Sequence, residues 1–254
     1  MTVRQVFYVA ETQGLIEKTE NEYKQTICRP LANMRRDGAL PYDWLADNTR
    51  WQRKPRTYSG LAGMLDSAQR TYRRAIWDDQ EVYVEIWLEK EALAGVLWDV
   101  TAKWDVPLMV TKGYSSLSFL HSAAETIAEE NKPTYLYYFG DLDPSGVDAS
   151  RFVIETLREM APETYIHFER VAVTREQVEE MDLPTRPTKK TDSRAKSFDG
   201  DSVEVDAIKP GKLREMAEAV ILQHIDTDLL ERMREVEHAE RETLREICSR
   251  LEGE

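Results

Sequence analysis

Residues 81–91 read EVYVEIWLEKE, and their pattern decides the fold. Val82, Val84, Ile86 and Leu88 alternate with Tyr83, Glu85 and Trp87, the period of a β-strand. Working outward, residues 90–103 have helical character, and Val106–Val110 is a short apolar strand. Residues 117–130 predict a helix, 135–139 a strand, 145–160 a helix and 165–173 a strand. Strands alternating with helices of this length predict a parallel sheet with crossover helices, an α/β class. Residues 184–200 read as a polar loop, Pro210 opens a helix to about His224, and residues 228–251 form a charged amphipathic helix suited to packing or dimerisation.

Upstream, Thr2 is placed to cap a helix with a stripe of Val3, Val6, Phe7 and Ala10, stopped by Gly14. Thr19 and Glu22 form a capping-box pattern that opens a second helix to Asp37. Pro30 predicts a break near Cys28–Arg29. Residues 39–50 read as an irregular or extended hairpin. Two short helices followed by a basic, aromatic tail suggest a winged-helix module. The expected organisation is a winged helix over 1–57, a helical connection over 58–79, an α/β domain over 80–226 and a C-terminal helix over 227–254.

The chain has 254 residues and a net charge of −13, which argues against a protein that coats nucleic acid without selectivity. The charge is uneven: Lys18–Arg74 holds 12 Lys/Arg against 6 Asp/Glu, leaving 22 against 41 elsewhere. A basic segment on an acidic body binds phosphates locally. Arg35, Arg36, Arg50, Arg53, Lys54 and Arg56 alternate with Tyr42, Trp44, Trp51 and Tyr58, which suits a DNA backbone. No apolar run has the length of a membrane span, and MTVRQVFYVAETQG has no signal pattern. Cys28 and Cys248 lack metal-ligand spacing and read as reduced thiols of a cytoplasmic protein, nucleoid-associated when on DNA.

In an open parallel sheet, function lies at the carboxyl ends of the strands. One strand here ends in Leu88–Glu89–Lys90–Glu91, the next in Thr111–Lys112–Gly113–Tyr114, the third in Gly140–Asp141–Leu142–Asp143–Pro144–Ser145–Gly146. Glu89, Asp141 and Asp143 are expected in one pocket. Carboxylates that close repel unless a cation is present, and Mg2+ suits them. The competing reading makes Asp143 a helix cap and Glu89 a solvated strand-end charge.

These three segments, with Asp192–Ser193–Arg194 and Val203–Ala207, resemble the Toprim domain of the topoisomerase VI A-subunit family and of the meiotic double-strand-break proteins. The resemblance spans roughly residues 2–225 and is nearest to the stand-alone, minimal A-subunit kind, without the extension that docks an ATPase partner. It implies that Glu89, Asp141 and Asp143 bind metal, that Glu89 also serves as acid/base, and that Lys112 and Gly113 form a phosphate-side turn. It places Tyr8 at the family's nucleophile position, with Arg4 one helical turn away to hold the phosphate.

The function so implied is Mg2+-dependent DNA cleavage and rejoining, an isomerase-type activity. In a homodimer, Tyr8 of one chain would attack a phosphodiester near the acidic pocket of the other, because one chain is not expected to bring its Tyr8 to its own pocket. Two alternatives stand beside it. One is a metal-dependent Toprim nuclease with no covalent intermediate. The other is a non-catalytic DNA-binding component of a larger complex with an unidentified protein partner.

Overall fold

A computed structural model describes residues 2–45, 55–188, 198 and 200–252. In chain order its elements are α1 (Val3–Thr12), α2 (Glu20–Glu22), α3 (Arg29–Arg36), α4 (Leu61–Thr71), β1 (Tyr83–Leu88), α5 (Ala94–Thr101), β2 (Leu108–Val110), α6 (Leu117–Glu130), β3 (Thr134–Phe139), α7 (Pro144–Met160), β4 (Ile166–Ala172), α8 (Arg175–Glu180), α9 (Pro210–Leu222) and α10 (Thr227–Glu252).

The chain divides into two units, one of residues 1–50 with 82–223 and one of 51–81 with 224–254. The helices expected as a connection and as a C-terminal helix thus share a unit. There α4 packs against α10, the Tyr72 hydroxyl donates to Glu240 at 2.6 Å, and Arg241 donates to the Tyr72 carbonyl at 2.9 Å. On α10, Leu230 and Met233 are buried while Val236 and Ile247 are exposed.

The larger unit is α/β. Its four strands are all parallel, in the order β2-β1-β3-β4. The chain runs from β1 outward to β2, returns past β1 to β3, and continues to β4. Strand order therefore reverses between β1 and β3, and the crevice at the carboxyl ends of that pair is where such sheets bind ligands.

On one face of the sheet Tyr83, Trp87, Leu136 and Tyr138 pack with Leu120 and Ile127 of α6 and Val153 and Leu157 of α7. On the other, Val84, Ile86, Leu88, Tyr137 and Phe139 are fully buried, and α5 and α9 pack on each other. All six residues of β1 are buried, so its period-two pattern does not mark a wet face. A parallel strand covered on both sides has none. Glu85 tolerates this because it accepts from the Trp87 indole at 2.7 Å and the Tyr83 hydroxyl at 3.0 Å, its neighbours two residues either way.

At the N-terminus, Thr2 and Gln5 form a reciprocal capping box on α1. Thr19 caps α2 as expected. Between α2 and α3 the backbone takes a π-helical stretch over Tyr23–Cys28. Pro30, lacking an N–H, sits in the first turn of the α-helix that follows, and the expected break is thus a change of helical register. Residues 39–45 hold a 3-10 turn at Tyr42–Trp44 and no strand. The rest of the expected hairpin, with Arg50, Trp51, Arg53 and Lys54, lies outside the described residues, as do Lys189, Lys190 and the Asp192–Arg194 run.

Burial pushes the Glu85 carboxyl up to about 7, against the pull of its two hydrogen bonds. The native state keeps this proton above the ordinary value of 4.5, where the unfolded chain has released it. Glu85's contribution to stability is therefore greatest in acid and declines as pH rises to about 7. Glu85→Gln is expected to flatten this part of the thermal-stability profile and to gain up to about 3 kcal/mol at pH 8, measured by urea unfolding across pH 4–8.

Candidate functional site

The reversal point of the sheet brings Glu89 and Asp141 together. Glu89 follows β1 directly, and its Oε2 accepts the Asp141 N–H at 2.9 Å. The loop after β3 is shaped around this carboxylate. A Cβ at Gly140 would lie 2.6 Å from Glu89 Oε2, and one at Gly146 would lie 3.1 Å from the same oxygen and 2.4 Å from the Asp141 carbonyl. Glycine at both positions is thus a requirement of close approach. Asp143 caps α7, its Oδ1 accepting the Gly146 N–H at 2.7 Å, and its Oδ2 is 4.0 Å from Arg186. The capping role expected from the competing reading of Asp143 is present.

Arg170 of β4 clamps this loop from beneath. It donates to the carbonyls of Gly140 at 3.1 Å, Asp141 at 3.2 Å and Gly146 at 2.8 Å, and to Ser150 Oγ at 2.8 Å. Sequence reasoning missed it: in the half-buried edge strand IHFERVA, Arg170 beside the exposed Glu169 reads as a surface charge.

A second acidic pair joins the first. Residues 203–207 lie against the loop through a two-way backbone pairing of Leu142 with Val203, and Asp141 Oδ1 accepts the Val205 N–H at 2.8 Å. This brings in Glu204 and Asp206, both nearly fully buried. The Lys90 ammonium sits among three carboxylates, 3.2 Å from Asp141, 3.2 Å from Glu204 and 2.9 Å from Asp206. Arg186 pairs with Glu204, and Arg4 lies 3.8 Å from Glu204 and 3.9 Å from Asp206. Glu204, Asp206, Lys90 and Arg186 were not picked as site residues from sequence, although Glu204 and Asp206 stand two apart in the quoted VEVDA run.

The charges shift each other's protonation. Burial, and then the Asp141 charge, push Glu89 up to about 7. Burial also raises Asp141, opposed by Lys90 and the Val205 N–H. Burial would lower Lys90, but Asp141, Asp206 and Glu204 outweigh it and hold the ammonium charged. Burial acts to raise Glu204, yet Lys90, the Tyr8 hydroxyl and Arg186 pull it down to about 2.

Tyr8, which the resemblance places at the nucleophile position, is buried in this arrangement. Its side chain is 2 % exposed, and its hydroxyl donates to Glu204 Oε2 of the same chain. Burial, the Asp206 charge and the bond to Glu204 all push its pKa above the ordinary phenol value. A phenol that donates to a carboxylate and keeps its proton is not an activated nucleophile. Within one chain, Glu204 links Tyr8 through Lys90 to Asp141. The physical reason is the docking of α1 on residues 205–207, which places Tyr8 and the sheet in one unit.

Arg4 shares a face with Tyr8, as the i,i+4 spacing implies. With Lys18 and Arg186 it lines a cleft of about 230 Å3 that also includes Tyr8 and Glu204. Lys112 and Gly113 both take left-handed backbone angles, φ 53° and 85°, in the turn after β2. The Lys112 ammonium is exposed and pairs with Glu91 at 2.8 Å; the structure does not bring it to Glu89 or Asp141. Arg35 donates to the backbone carbonyls of Tyr42 and Leu45, which ties the 42–45 turn to α3, while Arg36 and Arg56 are exposed.

Among the described residues, no three His, Cys, Asp or Glu side chains stand together at metal-holding spacing. Of the expected trio, the Glu89 carboxylate accepts the Asp141 backbone N–H, the Asp141 carboxylate faces Lys90, and Asp143 caps α7. Glu89 and Asp141, adjacent in the site, supply the oxygen donors a hard divalent cation takes, because Mg2+ commonly binds only one or two carboxylates and completes its shell with water; Asp141 would have to exchange its contact with Lys90 for the cation.

No protein-family model matches the chain, and no curated protein matches it.

Gly146→Ala is expected to destabilise the larger unit by about 2–4 kcal/mol, since the new methyl meets a backbone carbonyl that Arg170 holds in place. A thermal midpoint within one degree of the parent would show that the loop gives way freely.

Proposed function

We propose that this chain is a Toprim-type protein that cleaves DNA phosphodiesters with a divalent cation held by Glu89 and Asp141. The observation that carries the reading is that Glu89 and Asp141 are joined at the reversal point of a parallel sheet, the Glu89 carboxylate accepting the Asp141 N–H. When bound, Mg2+ supplies charge stabilisation for the phosphate and the leaving oxygen. Burial holds the metal-free Glu89 carboxyl near 7, so taking up the cation there would release a proton at neutral pH; the resemblance also gives Glu89 the acid/base role. Arg4, Lys18 and Arg186 bind the phosphate in the cleft beside Tyr8. In this reading residues 1–57 serve as a winged-helix DNA module, with Arg35, Arg36, Arg50, Arg53, Lys54 and Arg56 on the backbone, and the protein works on DNA as a homodimer. Among the described residues, no helix is long and apolar enough to cross a membrane.

The protonated, buried Tyr8 favours hydrolytic cleavage over a tyrosyl–DNA intermediate. For the covalent reaction the hydroxyl must first leave Glu204 and lose its proton. A third reading, a DNA-binding component whose partner supplies the chemistry, predicts binding without cleavage.

Supercoiled DNA with Mg2+, run with and without protease before electrophoresis, separates these readings. The parent is expected to nick or linearise DNA without protein-linked ends, and Tyr8→Phe to keep that activity within about threefold. Asp141→Asn is expected to lower cleavage at least about a hundredfold while leaving DNA binding intact. Protein-linked ends that vanish in Tyr8→Phe would restore the tyrosine mechanism. Full cleavage by Asp141→Asn would remove the carboxylate pair from the reaction.

DNA affinity is expected to fall steeply with salt, because phosphate contacts release counterions. Neutralising Arg53, Lys54 and Arg56 together should reduce the slope of log K against log salt by about two to three. An unchanged slope would place the contact surface elsewhere.

A further inference from the structure

Three acids share the Lys90 ammonium, and one of their oxygens has a second claimant. Glu204 Oε2 accepts from Lys90 Nζ at 3.2 Å and also from the Tyr8 hydroxyl. The other oxygen of Glu204, Oε1, accepts from Arg186, and the Arg4 guanidinium stands 3.8 Å from Oε2. Asp206 Oδ1 accepts from Lys90 at 2.9 Å. Asp141 Oδ1 lies 3.2 Å from the ammonium and accepts the Val205 N–H at 2.8 Å. With carboxylates from two separate segments around it, the place of this ammonium is set by the balance of their charges.

That balance changes when Asp141 turns to a cation. The Asp141 charge is then met by the divalent ion, and the ion repels the ammonium from that side. Lys90 keeps Glu204 and Asp206, and its charge falls on those two alone. Its bond to Glu204 Oε2 strengthens, and this is the oxygen that the Tyr8 hydroxyl uses. A carboxylate oxygen more closely paired with a cation is a weaker acceptor for a neutral phenol.

We propose that Lys90 relays cation occupancy at Glu89 and Asp141 to Tyr8: the ammonium gives up Asp141, tightens on Glu204 and loosens the Tyr8 hydroxyl from it. The inference rests on the cation site proposed above. Lys90 is a positioning residue in it and touches neither cation nor phosphate. The relay runs within the larger unit, which holds Tyr8, Lys90, Asp141 and Glu204 alike. Tyr8 keeps its proton throughout, and no covalent bond forms or breaks. What changes is the hold of the sheet on α1, whose Arg4 and Tyr8 line the cationic cleft with Lys18 and Arg186. Coupling between two sites is reciprocal. If the cation weakens the bond of Tyr8 to Glu204, loss of that bond strengthens cation binding.

The experiment follows Mn2+ binding to the full chain, without DNA, by loss of the free-ion paramagnetic resonance signal. Tyr8→Phe is expected to bind Mn2+ about fivefold more tightly than the parent, the lower end of ordinary coupling between sites. A tyrosine that only packs α1 on the sheet would leave this affinity unchanged. In a Lys90→Gln chain the effect of Tyr8→Phe should vanish, because the ammonium carries it. A second readout keeps the hydroxyl: 3-fluorotyrosine is placed at position 8 of the otherwise parental chain. Its fluorine resonance should move with added Mg2+, saturate with the ion, and stay still in Asp141→Asn. Parental or weaker Mn2+ affinity in a folded Tyr8→Phe overturns the relay, as does a fivefold effect that persists in a folded Lys90→Gln. If either variant does not fold, a fluorine resonance unmoved at saturating Mg2+ overturns it equally. Absence of Mn2+ binding to the parent at millimolar concentration overturns the cation site and the relay together, whereas bound Mn2+ with an unresponsive Tyr8 overturns the relay alone.

Discussion

The Lys90 ammonium, set among Asp141, Glu204 and Asp206, is the contact on which the arrangement of the larger unit depends. Asp141 comes from the loop after β3, Glu204 and Asp206 from a segment more than sixty residues later, and Lys90 from the end of β1. All three acids are nearly fully buried. Without the lysine their mutual repulsion and desolvation would drive the segments apart or leave the acids protonated. With it, residues 203–207 seat against the strand ends, Val205 donates to Asp141, and Glu204 is presented to α1.

One consequence falls on Tyr8. Glu204 is held ionised by Lys90 and Arg186, so it is a strong acceptor, and the phenol that meets it keeps its proton. The same contact anchors α1 to the sheet. The residue that the family resemblance places at the nucleophile position links α1 to Glu204 in this arrangement. Its ring also separates two environments: the cationic cleft of Arg4, Lys18 and Arg186 on one side and an apolar cavity bounded by Val9 and Ile208 on the other.

A second consequence concerns Glu89. No lysine lies against it as Lys90 lies against Asp141. Its carboxylate is fitted between Gly140 and Gly146 and bonded to the Asp141 N–H, while Arg170 is spent on the carbonyls of the same loop. Burial, and then the Asp141 charge, outweigh the Asp141 N–H and the Arg170 charge and push the Glu89 pKa up to about 7. A buried carboxylate with a raised pKa at the reversal point of a parallel sheet is what makes this end of the sheet chemically distinctive.

Local pattern determined much of this protein. The alternation of Val82–Leu88, the apolar run Leu108–Val110, the Thr2 and Thr19 caps and the Pro30 break are short-range effects of side-chain period and backbone chemistry, and each element stands within a few residues of where the sequence puts it. The convergence of Glu89 with Asp141 was legible too, because parallel strands bring their carboxyl ends to one edge by construction. Tertiary structure alone decided the rest. Glu85 reads as a solvent-facing strand residue until helices cover both faces of the sheet. Glu204, Asp206, Arg170 and Arg186 join the site through contacts that span 18 to 196 residues, and Tyr8 loses its exposure through the longest of these. Spacing along the chain records what one element needs to form; it does not record which charge another segment brings against it, and in this site that charge sets the protonation of each group.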